Sequence, residues 1–377
     1  MHIVHILKGK ANPETMNGVN KAVHGMATGE TNQGHHVEVW GITASVDDAR
    51  KDAYNYKLRL FSQSVFRVAV SREMKRAIAE LDRNTWIQFH SVFVPEFPSI
   101  AHMVRKRGLH YGVTTHGGYA PAVLSKDHLR KCLYIALRER PYVAGASLVQ
   151  AVGRSEIKDI LAMSPHARVE LIPNGQDRDL LAGIEVPRME AEHPVIGYCG
   201  RLDMQTKGLD HLINGFSIYK SEGGRGQLWM VGDGADRAAV ERMATDGGVQ
   251  SDVKFFGSMS GTAKLRVLSN FDAFIHTSRR EALPTACLEA ASLGTPLIVS
   301  RETNLADCVE EAGAGIALDE TSADGVSRAL GRVQALYKDN QLQSMGRNAR
   351  LLIEKRFSWE GNARSFVAAI EAASHAT

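Results

Sequence analysis

The sequence predicts an α/β fold made of two doubly wound domains with a deep cleft between them. Short runs rich in apolar and β-branched residues alternate with helix-length amphipathic stretches along the 377 residues, which is the pattern of βαβ units. The strand candidates are almost continuously apolar, as expected for parallel strands that are covered on both faces. The chain is also longer than one hydrophobic core usually supports.

Ten runs are the strand candidates. They are HIVHIL, HVEVWGI, TWIQFHSVFV, YGVTTHG and SLVQAVG in the first half, and VIGYCG, QLWMVGDG, VKFFG, FDAFIHTS and TPLIVS in the second. The pattern restarts near Pro194, after the polar segment GIEVPRMEAEHP, which has the composition of a linker. We therefore predict an N-terminal domain over residues 1–182 and a C-terminal domain over 183–356. The last amphipathic segment, 357–377, is predicted to form one further helix.

The composition excludes several classes of protein. Apolar residues make up 44% and charged residues 23% of the chain, as in ordinary globular proteins. No window approaches the roughly 18 consecutive apolar residues of a membrane-spanning helix. The first residues carry too short an apolar run for a signal peptide and are predicted to form a core strand. The four cysteines form no close pair and no metal-type spacing, so a reducing cytoplasm is expected.

The two halves differ in charge. Residues 1–182 hold 24 Lys and Arg against 17 Asp and Glu, a net charge of +7, whereas the remainder holds 21 against 25, a net charge of −4. A basic half favours an anionic partner, such as a membrane surface, a phosphorylated acceptor or a nucleic acid. A solvated basic face without a partner would have the same composition. No nucleic-acid recognition motif is found, so no nucleic-acid partner is expected.

Ligands bind at the carboxyl ends of strands in open α/β sheets, so the loops after the strands are candidate sites. Asn17 is a candidate N-cap, and Gly18 opens a helix whose free amides a phosphate can approach; a glycine merely tolerated at a helix start would look the same. His116 ends a strand candidate and precedes two glycines, so it can reach into a cleft, although a lone histidine is often structural. His90 and Glu96 are candidates for the acceptor side, or else for core and turn.

Two cations follow the first strand of the C-terminal half. Arg201 and Lys207 flank a loop at a strand's carboxyl end, an arrangement suited to neutralising a diphosphate, and solvated surface charge is the alternative. The loop after the next strand begins with Gly232. It is a near miss for the dinucleotide fingerprint because Arg237 stands where the third glycine belongs, so a tight strand-to-helix turn is the simpler interpretation.

The segment EALPTACLEA places Glu281 and Glu289 around a predicted helix start. Pro284 fits the first turn of a helix better than its interior, so we predict a helix that begins near Pro284 and ends at Gly294. The amides at this start carry partial positive charge and suit phosphate, whereas the two carboxylates suit sugar hydroxyls. A sugar nucleotide presents both kinds of group, although two glutamates near one helix also occur by chance.

A DxD pair, Asp177 and Asp179, is of the kind that holds a divalent cation in some sugar-transfer enzymes. It lies beside the predicted linker and does not follow a strand of the predicted cleft. We therefore expect no metal at this pair.

Taken in order, these motifs resemble the retaining glycosyltransferases of family 4 (glycosyltransferase group 1), which have the GT-B fold. The motifs are Gly18, His116, PNG at 173–175, GRL with Lys207, VGDG, and Glu281 followed eight positions later by Glu289. They extend over essentially the whole chain. The resemblance implies two Rossmann-like domains and a C-terminal helix that crosses back to the N-terminal domain.

The resemblance also implies roles for these residues. Glu281 would contact the hydroxyls of the transferred sugar, and Glu289 the ribose of the nucleotide. Arg201 and Lys207 would stabilise the diphosphate as negative charge develops on it, and His116 would contact the donor sugar. The predicted catalytic residues are His116, Arg201, Lys207 and Glu281, and the predicted donor-binding residues are Gly18, Arg201, Lys207, Gly232, Glu281, Ala282, Leu283, Pro284, Thr285 and Glu289.

Two segments depart from the usual pattern of the family. Asn17 stands where the family often has a first glycine before Gly18. The loop EALP stands where the family often has EGFG, and Pro284 removes one amide donor.

The implied reaction moves a sugar from a nucleotide-diphosphate sugar to a glycan, lipid-linked or small-molecule acceptor, with retention at the anomeric carbon. The leaving phosphate would take the acceptor's proton, and neither a metal nor another cofactor is implied. We expect a role in bacterial surface polysaccharide, lipopolysaccharide or glycoconjugate synthesis, in the cytoplasm, with peripheral contact of the basic half with the anionic inner face of the membrane. The alternatives are an epimerase or a phosphorylase on the same plan and a non-catalytic nucleotide-sugar sensor.

Overall fold

The computed structural model describes residues 1–15, 17–47, 53–64, 66, 68–120, 132–177, 180 and 192–375. The chain forms two compact units. Unit 1 comprises Met1–Gly175 and Trp359–Thr377, and unit 2 comprises Gln176–Ser358.

The division between the units falls at residue 175, whereas the sequence placed the domain boundary after residue 182. Gln176 belongs to unit 2 because it forms a parallel bridge with Ser358, and its amide donates to the carbonyl oxygen of Phe357 at 2.6 Å. The predicted linker runs from 183 to 194, and its residues 183–191 lie outside the described residues.

The described part of unit 1 contains a seven-stranded parallel sheet. Its strands are β1 (His2–Lys8), β2 (His36–Thr43), β3 (Lys57–Ser62), β4 (Thr85–His90), β5 (Tyr111–Thr114), β6 (Leu148–Ala151) and β7 (Val169–Leu171). They lie in the order β3-β2-β1-β4-β5-β6-β7. The winding reverses between β1 and β4, and such a reversal is where doubly wound sheets open a ligand crevice at the carboxyl edge.

Helices connect these strands. They are α1 (Gly18–Asn32), α2 (Arg72–Glu80), α3 (Phe97–Lys106), α4 (Arg140–Ala144) and α5 (Arg154–Met163), with a π-helical turn at Ile135–Glu139 before α4. This alternation of strands and helices is the predicted βαβ pattern.

Unit 2 contains a six-stranded parallel sheet within the described residues. Its strands are β8 (Val195–Cys199), β9 (Gln227–Val231), β10 (Val253–Gly257), β11 (Ala273–His276), β12 (Leu297–Val299) and β13 (Gly315–Ala317). They lie in the order β10-β9-β8-β11-β12-β13, so the winding reverses between β8 and β11. The predicted α/β class with two doubly wound sheets is therefore confirmed.

The helices of unit 2 alternate with its strands, and a last helix returns the chain to unit 1. They are α6 (Met204–Lys207), α7 (Leu209–Ser221), α8 (Arg237–Asp246), α9 (Gly261–Leu268), α10 (Thr285–Ser292), α11 (Ala306–Glu311), α12 (Ala323–Lys338), α13 (Leu342–Arg356) and, in unit 1, α14 (Trp359–Ser374). Among the helices of the described residues, none combines the length and the apolar character of a membrane span.

Both faces of the unit 1 sheet are buried, which explains the continuous apolar runs. In β1, Val4 and Ile6 face the core beneath α2 and α3, whereas Ile3 faces Met26 of α1 and Phe366 of α14. Successive side chains of a strand point to opposite faces, so a strand covered on both sides carries apolar residues at successive positions.

Helix α14 packs closely on α1 through small residues. A Cβ atom on Gly25 would lie 2.0 Å from a ring carbon of Trp359, and one on Gly29 would lie 3.0 Å from the Cβ atom of Ala363. Larger residues at these two positions of α1 would push the final helix away.

The strands differ from the prediction at their ends. β4 stops at His90 because the chain turns through positive φ angles at Ser91 (91°) and Phe93 (59°), which extended strands do not adopt. Three strands were not predicted: β3 mixes charged and apolar residues, and β7 and β13 have only three residues each. Short strands of this kind carry little periodic signal.

Candidate functional site

Three loops that the sequence singled out follow adjacent strands of unit 2. The loop with Arg201 and Lys207 follows β8, the loop with Gly232 follows β9, and the loop with Glu281 follows β11. These strands are neighbours in the order β9-β8-β11. Since parallel strands end at the same edge of a sheet, the three loops start side by side at the carboxyl edge.

Lys207 is held by a short helix and a left-handed glycine. Asp203 caps α6, its Oδ1 atom accepting from the amide of Thr206 at 3.0 Å. Gly208 then adopts φ 62°, and a Cβ atom there would lie 2.3 Å from the carbonyl oxygen of Thr277, so glycine is required. The hydroxyl of Thr277 donates to the carbonyl oxygen of Lys207 at 3.0 Å, which joins this turn to the end of β11.

The side chains of Lys207 and Glu281 form a direct ion pair. They are 14% and 21% exposed, so the pair is partly shielded from water but can still be reached. Ser278 donates through its hydroxyl to Oε2 of Glu281 at 3.2 Å, and Nε2 of His276 lies 3.0 Å from that hydroxyl. Three side chains, from the loop after β8 and from the end of β11, thus converge on one carboxylate.

This environment keeps Glu281 ionised. Burial acts to raise the pKa of its carboxyl group, but the hydrogen bond from His276 and the charge of Lys207 outweigh it and lower the pKa to about 2. Burial lowers the pKa of His276, so that ring is neutral at neutral pH. An ionised carboxylate only accepts hydrogen bonds, which suits Glu281 to hydroxyl donors.

Arg279 anchors the Glu281 loop to the Lys207 loop, and the sequence prediction missed it. Its guanidinium donates two bonds to Asp210, at 2.8 and 2.6 Å, and a third to the carbonyl oxygen of Met204 at 3.1 Å. The hydrogen bond and the charge of Asp210 raise the pKa of Arg279. The two partners are far apart in the sequence, so no local motif marks this contact.

The segment from Glu281 to Pro284 is braced from its other side. The amide of Asn304 donates to the carbonyl oxygens of Glu281 and Ala282, at 2.8 and 2.9 Å. Leu283 is buried in the core, so its side chain holds the loop against unit 2. Pro284 occupies the N-cap position of α10, as the sequence predicted, and no side chain of the described residues caps this helix.

Glu289 lies inside α10 and bonds a lysine that the sequence prediction also missed. Nζ of Lys264, in α9, donates to both carboxylate oxygens, at 2.7 and 2.6 Å. The two residues are only 5% and 7% exposed. A buried ion pair thus joins α9 to α10.

Arg201 and Gly232 differ in how firmly the structure holds them. The guanidinium of Arg201 lies 4.0 Å from Asp203 and its side chain is 70% exposed, so its conformation is weakly constrained. Gly232 has φ 139°, and a Cβ atom there would lie 1.9 Å from the carbonyl oxygen of Gly200. This loop is therefore the predicted tight turn, and only glycine fits at position 232.

In unit 1 the predicted residues lie at the carboxyl edge of that sheet. Oδ1 of Asn17 accepts from the amide of Val19 at 2.9 Å and so caps α1. A Cβ atom on Gly18 would meet nothing within 4 Å, so packing alone does not require a glycine there. His116, with φ 47°, follows β5 and places its Nε2 atom 3.2 Å from Nδ1 of His90.

The two other candidates of unit 1 are more deeply buried. Glu96 is 2% exposed and forms an ion pair with Lys8, and His90 is 3% exposed. Glu156 of α5 accepts from the hydroxyl of Thr115, directly before His116. The assignment of His90 and Glu96 to an acceptor side stays a prediction.

The DxD pair is only half described, because Asp179 lies outside the described residues.

Among the residues that the structure describes, His2, His36 and Glu38 place possible metal ligands within 4.8 Å of one another. The carboxylate of Glu38 already accepts from Trp40 at 2.7 Å and from Lys57 at 3.0 Å, so protein donors engage both of its oxygens.

Comparisons with known proteins agree in the class of protein they identify. Residues 184–352 match the family model described as "Glycosyl transferases group 1", and residues 16–180 match the model described as "Glycosyltransferase Family 4". One sequence relative is the lipopolysaccharide core biosynthesis glycosyltransferase LpsE of Rhizobium meliloti (strain 1021), 30% identical over 154 residues. The match covers 41% of this chain and 42% of LpsE, so it spans less than half the length of that relative.

Solved structures of glycosyltransferases resemble the whole chain. Sucrose-phosphate synthase from Thermosynechococcus elongatus has a TM-score of 0.77 at 18% identity, with all of both chains covered. Anabaena Alr3699/HepE, solved in complex with UDP and glucose, has a TM-score of 0.72 at 17% identity, with 99% of this chain and 100% of that chain covered. At these identities the likeness shows the fold, and the predicted GT-B fold is confirmed.

Proposed function

Since the two family models together span most of the chain, the protein belongs to the glycosyltransferases of family 4 (group 1), and we propose that it transfers a sugar from a nucleotide-diphosphate sugar with retention of the anomeric configuration. The acceptor is a glycan, a lipid-linked molecule or a small molecule. The observation that carries this proposal is the Lys207–Glu281 ion pair at the carboxyl edge of the unit 2 sheet.

The pair offers one group for each half of such a donor. The ammonium group of Lys207 would move from Glu281 to the diphosphate and stabilise the charge that develops as the sugar leaves. The carboxylate of Glu281, with its pKa lowered to about 2, would accept hydrogen bonds from hydroxyls of the transferred sugar. A group with this pKa is not protonated at neutral pH and cannot be a general acid there, so we assign Glu281 to binding.

Glu289 and the start of α10 serve the nucleotide in this proposal. The ribose hydroxyls would donate to the carboxylate of Glu289, which Lys264 holds in place. The uncapped helix start after Pro284 offers the amides of Thr285 and of the preceding loop, Ala282 and Leu283, to phosphate. Gly232 lets the neighbouring loop approach the same edge.

Further donor contacts come from mobile or open positions. The exposed guanidinium of Arg201 is free to swing towards a diphosphate, a geometry that Arg suits. The open space around Gly18 suits a backbone that approaches a phosphate. His116 would contact the donor sugar, and no metal or other cofactor takes part.

We place the acceptor at a bacterial membrane surface. LpsE is a lipopolysaccharide core biosynthesis glycosyltransferase, and a lipopolysaccharide is a lipid-linked glycan. Residues 1–182 carry a net charge of +7, which favours contact with an anionic surface. The protein would act in the cytoplasm, peripherally at the inner face of the membrane.

The proposal is tested first by binding and then by turnover. In a thermal-shift screen against UDP, GDP, ADP and their sugars, one nucleotide should raise Tm preferentially, because a ligand at a hundred times its Kd adds about 2.7 kcal/mol of stability. A radiolabelled panel of the corresponding sugar donors should then give transfer or slow donor hydrolysis that survives a chelator, and NMR of the product should show a retained anomer.

Three outcomes would count against the proposal. Folded protein that neither transfers nor hydrolyses any donor would leave a nucleotide-sugar sensor if a nucleotide still binds. Conversion of the donor without an acceptor would identify an epimerase. Consumption of inorganic phosphate would identify a phosphorylase.

A further inference from the structure

Three buried side chains of unit 1 and the half-buried His116 form one hydrogen-bonded chain that ends at His116. Oε2 of Glu30 lies 2.7 Å from Nε2 of His5, and Nδ1 of His5 lies 2.8 Å from Nε2 of His90. Nδ1 of His90 then lies 3.2 Å from Nε2 of His116. Each imidazole ring therefore uses its two nitrogens for two different neighbours, up to the last ring.

The strand order explains why these residues meet. β1, β4 and β5 are adjacent, and His5 lies opposite Gln88 in register. His90 is two residues further along β4, hence on the same face of the sheet. His90 lies opposite Thr114, and His116 again follows two residues later. The series of hydrogen bonds thus runs diagonally across three strands towards the carboxyl edge of the sheet.

The interior of this chain is closed to water. Glu30 and His5 have no exposed surface and His90 is 3% exposed, beneath helix α14, where the ring of Phe366 lies 6.3 Å from that of His5. Burial and the neighbouring rings lower the pKa of His90, and burial lowers the pKa of His116 to about 4. These two rings are neutral at neutral pH.

A neutral imidazole has one donor and one acceptor nitrogen. In this series of hydrogen bonds, the nitrogen that carries the hydrogen on one ring therefore determines which nitrogen carries it on the next ring. A carboxylate only accepts hydrogen bonds, so where Glu30 is a carboxylate and His5 an uncharged imidazole, Nε2 of His5 carries the hydrogen. Its Nδ1 must then accept from Nε2 of His90. Nδ1 of His90 must in turn accept from Nε2 of His116, which leaves Nδ1 of His116 without hydrogen. Among the described residues, no donor is bonded to that atom.

We propose that Glu30, His5 and His90 are positioning residues that fix the tautomer of His116, so that its Nδ1 atom accepts a hydrogen bond from a substrate hydroxyl. The inference rests on the proposed function for the identity of that substrate as a sugar. It adds a specificity rule, because an acceptor nitrogen attracts a hydroxyl and repels a carboxylate at the same place. The opposite arrangement requires a protonated His5, and then His116 would present an N–H group.

Nitrogen NMR of the full chain with labelled histidine tests the tautomer without any substrate. The signal of His116 is assigned by its loss in His116→Asn. Near neutral pH, all three rings should carry hydrogen on Nε2. In Glu30→Gln the direction of the chain is no longer imposed, because an amide both donates and accepts, so His116 should show a mixed or reversed tautomer.

Glu38→Gln is the matched control, since Glu38 is another buried carboxylate of unit 1, 4% exposed and bonded to Trp40 and Lys57. It should leave the His116 tautomer unchanged. Hydrogen on Nδ1 of His116 in the unchanged protein, or the same tautomer in Glu30→Gln, would overturn the proposal.

Kinetics separate positioning from simple damage to the fold. Glu30→Gln should lower kcat/KM for the donor about tenfold, the equivalent of one hydrogen bond. In a His116→Ala background the same change should cause no further loss, because its effect passes through His116. An equal loss in both backgrounds would show a merely structural role and sink the proposal. If the unchanged protein neither binds a nucleotide nor transfers sugar, the proposed function fails, while the NMR result still decides the tautomer.

Discussion

Two buried carboxylates, Glu156 of unit 1 and Glu281 of unit 2, have pKa values that are shifted in opposite directions. In unit 1, Glu156 is 3% exposed and its pKa is raised, because burial outweighs the hydrogen bonds from Thr115 and from backbone amides. In unit 2, Glu281 is buried to a lesser degree and its pKa falls to about 2, because His276 and Lys207 outweigh burial. The neutral donors around Glu156 do not offset its burial, whereas at Glu281 a hydrogen bond and a nearby ammonium group together do.

The difference separates supporting groups from binding groups. Glu156 braces the turn before His116 through the hydroxyl of Thr115 and needs no charge for that purpose. Lys207 and Glu281 must both be charged if they are to hold a diphosphate and sugar hydroxyls. A charged pair at the edge of a sheet can exchange partners with a ligand.

The largest expected effect comes from removing the cation. Lys207→Ala should reduce kcat about a hundredfold to a thousandfold, the range for loss of one group that stabilises transition-state charge. It should also raise the pKa of Glu281 and so make this site resemble Glu156. Steady-state kinetics with the donor found in the thermal-shift screen measure the first effect.

Lys220→Ala is the matched control, because Lys220 lies in the same unit and pairs with Asp252 at 3.2 Å, away from the Lys207 loop. It should change kcat by less than about twofold, as exposed pairs contribute little. If both variants lose activity equally, the Lys207–Glu281 pair has no specific role in activity and the comparison between the units fails.

The second effect concerns stability. Lys264→Met leaves Glu289 buried without its ammonium partner and should destabilise unit 2 by about 3 kcal/mol, as measured by urea unfolding. Lys264→Met with Glu289→Gln should recover most of the loss, because the uncompensated charge is gone. Lys254→Met, which removes an exposed lysine lying 5.0 Å from the ring of Trp229, should lose less than about 1 kcal/mol.

A double variant as unstable as Lys264→Met would show that packing, and not charge, makes Lys264 important. Unit 2 would then hold Glu289 as unit 1 holds Glu156, and the comparison would be confined to Glu281.

Much of the fold was predictable because its signals are local. Each strand buried on both faces is a continuous apolar run, and β1, β8 and β9 begin where the sequence indicated. The start of α10 followed from Pro284 alone. The strand β3 was missed because its alternating KLRLFS pattern is shared by helices and loops. The end of β4 was missed because the residue types do not determine the backbone φ angles that end the strand.

The site was predictable only where a motif carried it. Lys207 and Glu281 were predicted because both follow strands and match a family pattern. Lys264 looked like an ordinary helix residue, since its partner Glu289 lies 25 positions away. Likewise, His5 sits in an apolar strand, and its bond to His90 spans 85 positions. Contacts of this kind depend on strand order, which the sequence leaves undetermined.

The smallest expected effect is a difference in pH dependence between Glu281→Gln and Glu156→Gln. The pKa of Glu281 lies near 2 in the folded chain against 4.5 for the free group. Its ionised form therefore stabilises the fold above about pH 5, and this stability is lost as the pH falls through 4.5 towards 2. Between pH 6 and pH 3.5 the unchanged protein should lose about 1 kcal/mol that Glu281→Gln does not lose.

The raised pKa of Glu156 has the opposite effect on the pH dependence of stability. Its protonated form is favoured in the folded chain, so its contribution is present below the unfolded pKa and is lost as the pH rises through the folded pKa. Glu156→Gln should therefore lose stability on acidification more steeply than the unchanged protein, while Glu281→Gln loses it less steeply. Urea midpoints at the two pH values, with hydrogen exchange to assign each transition to its unit, measure both slopes. Slopes that change in the same direction would mean that the two carboxylates share one environment, since the hydrogen bond from His276 and the ammonium group of Lys207 act on Glu281 alone.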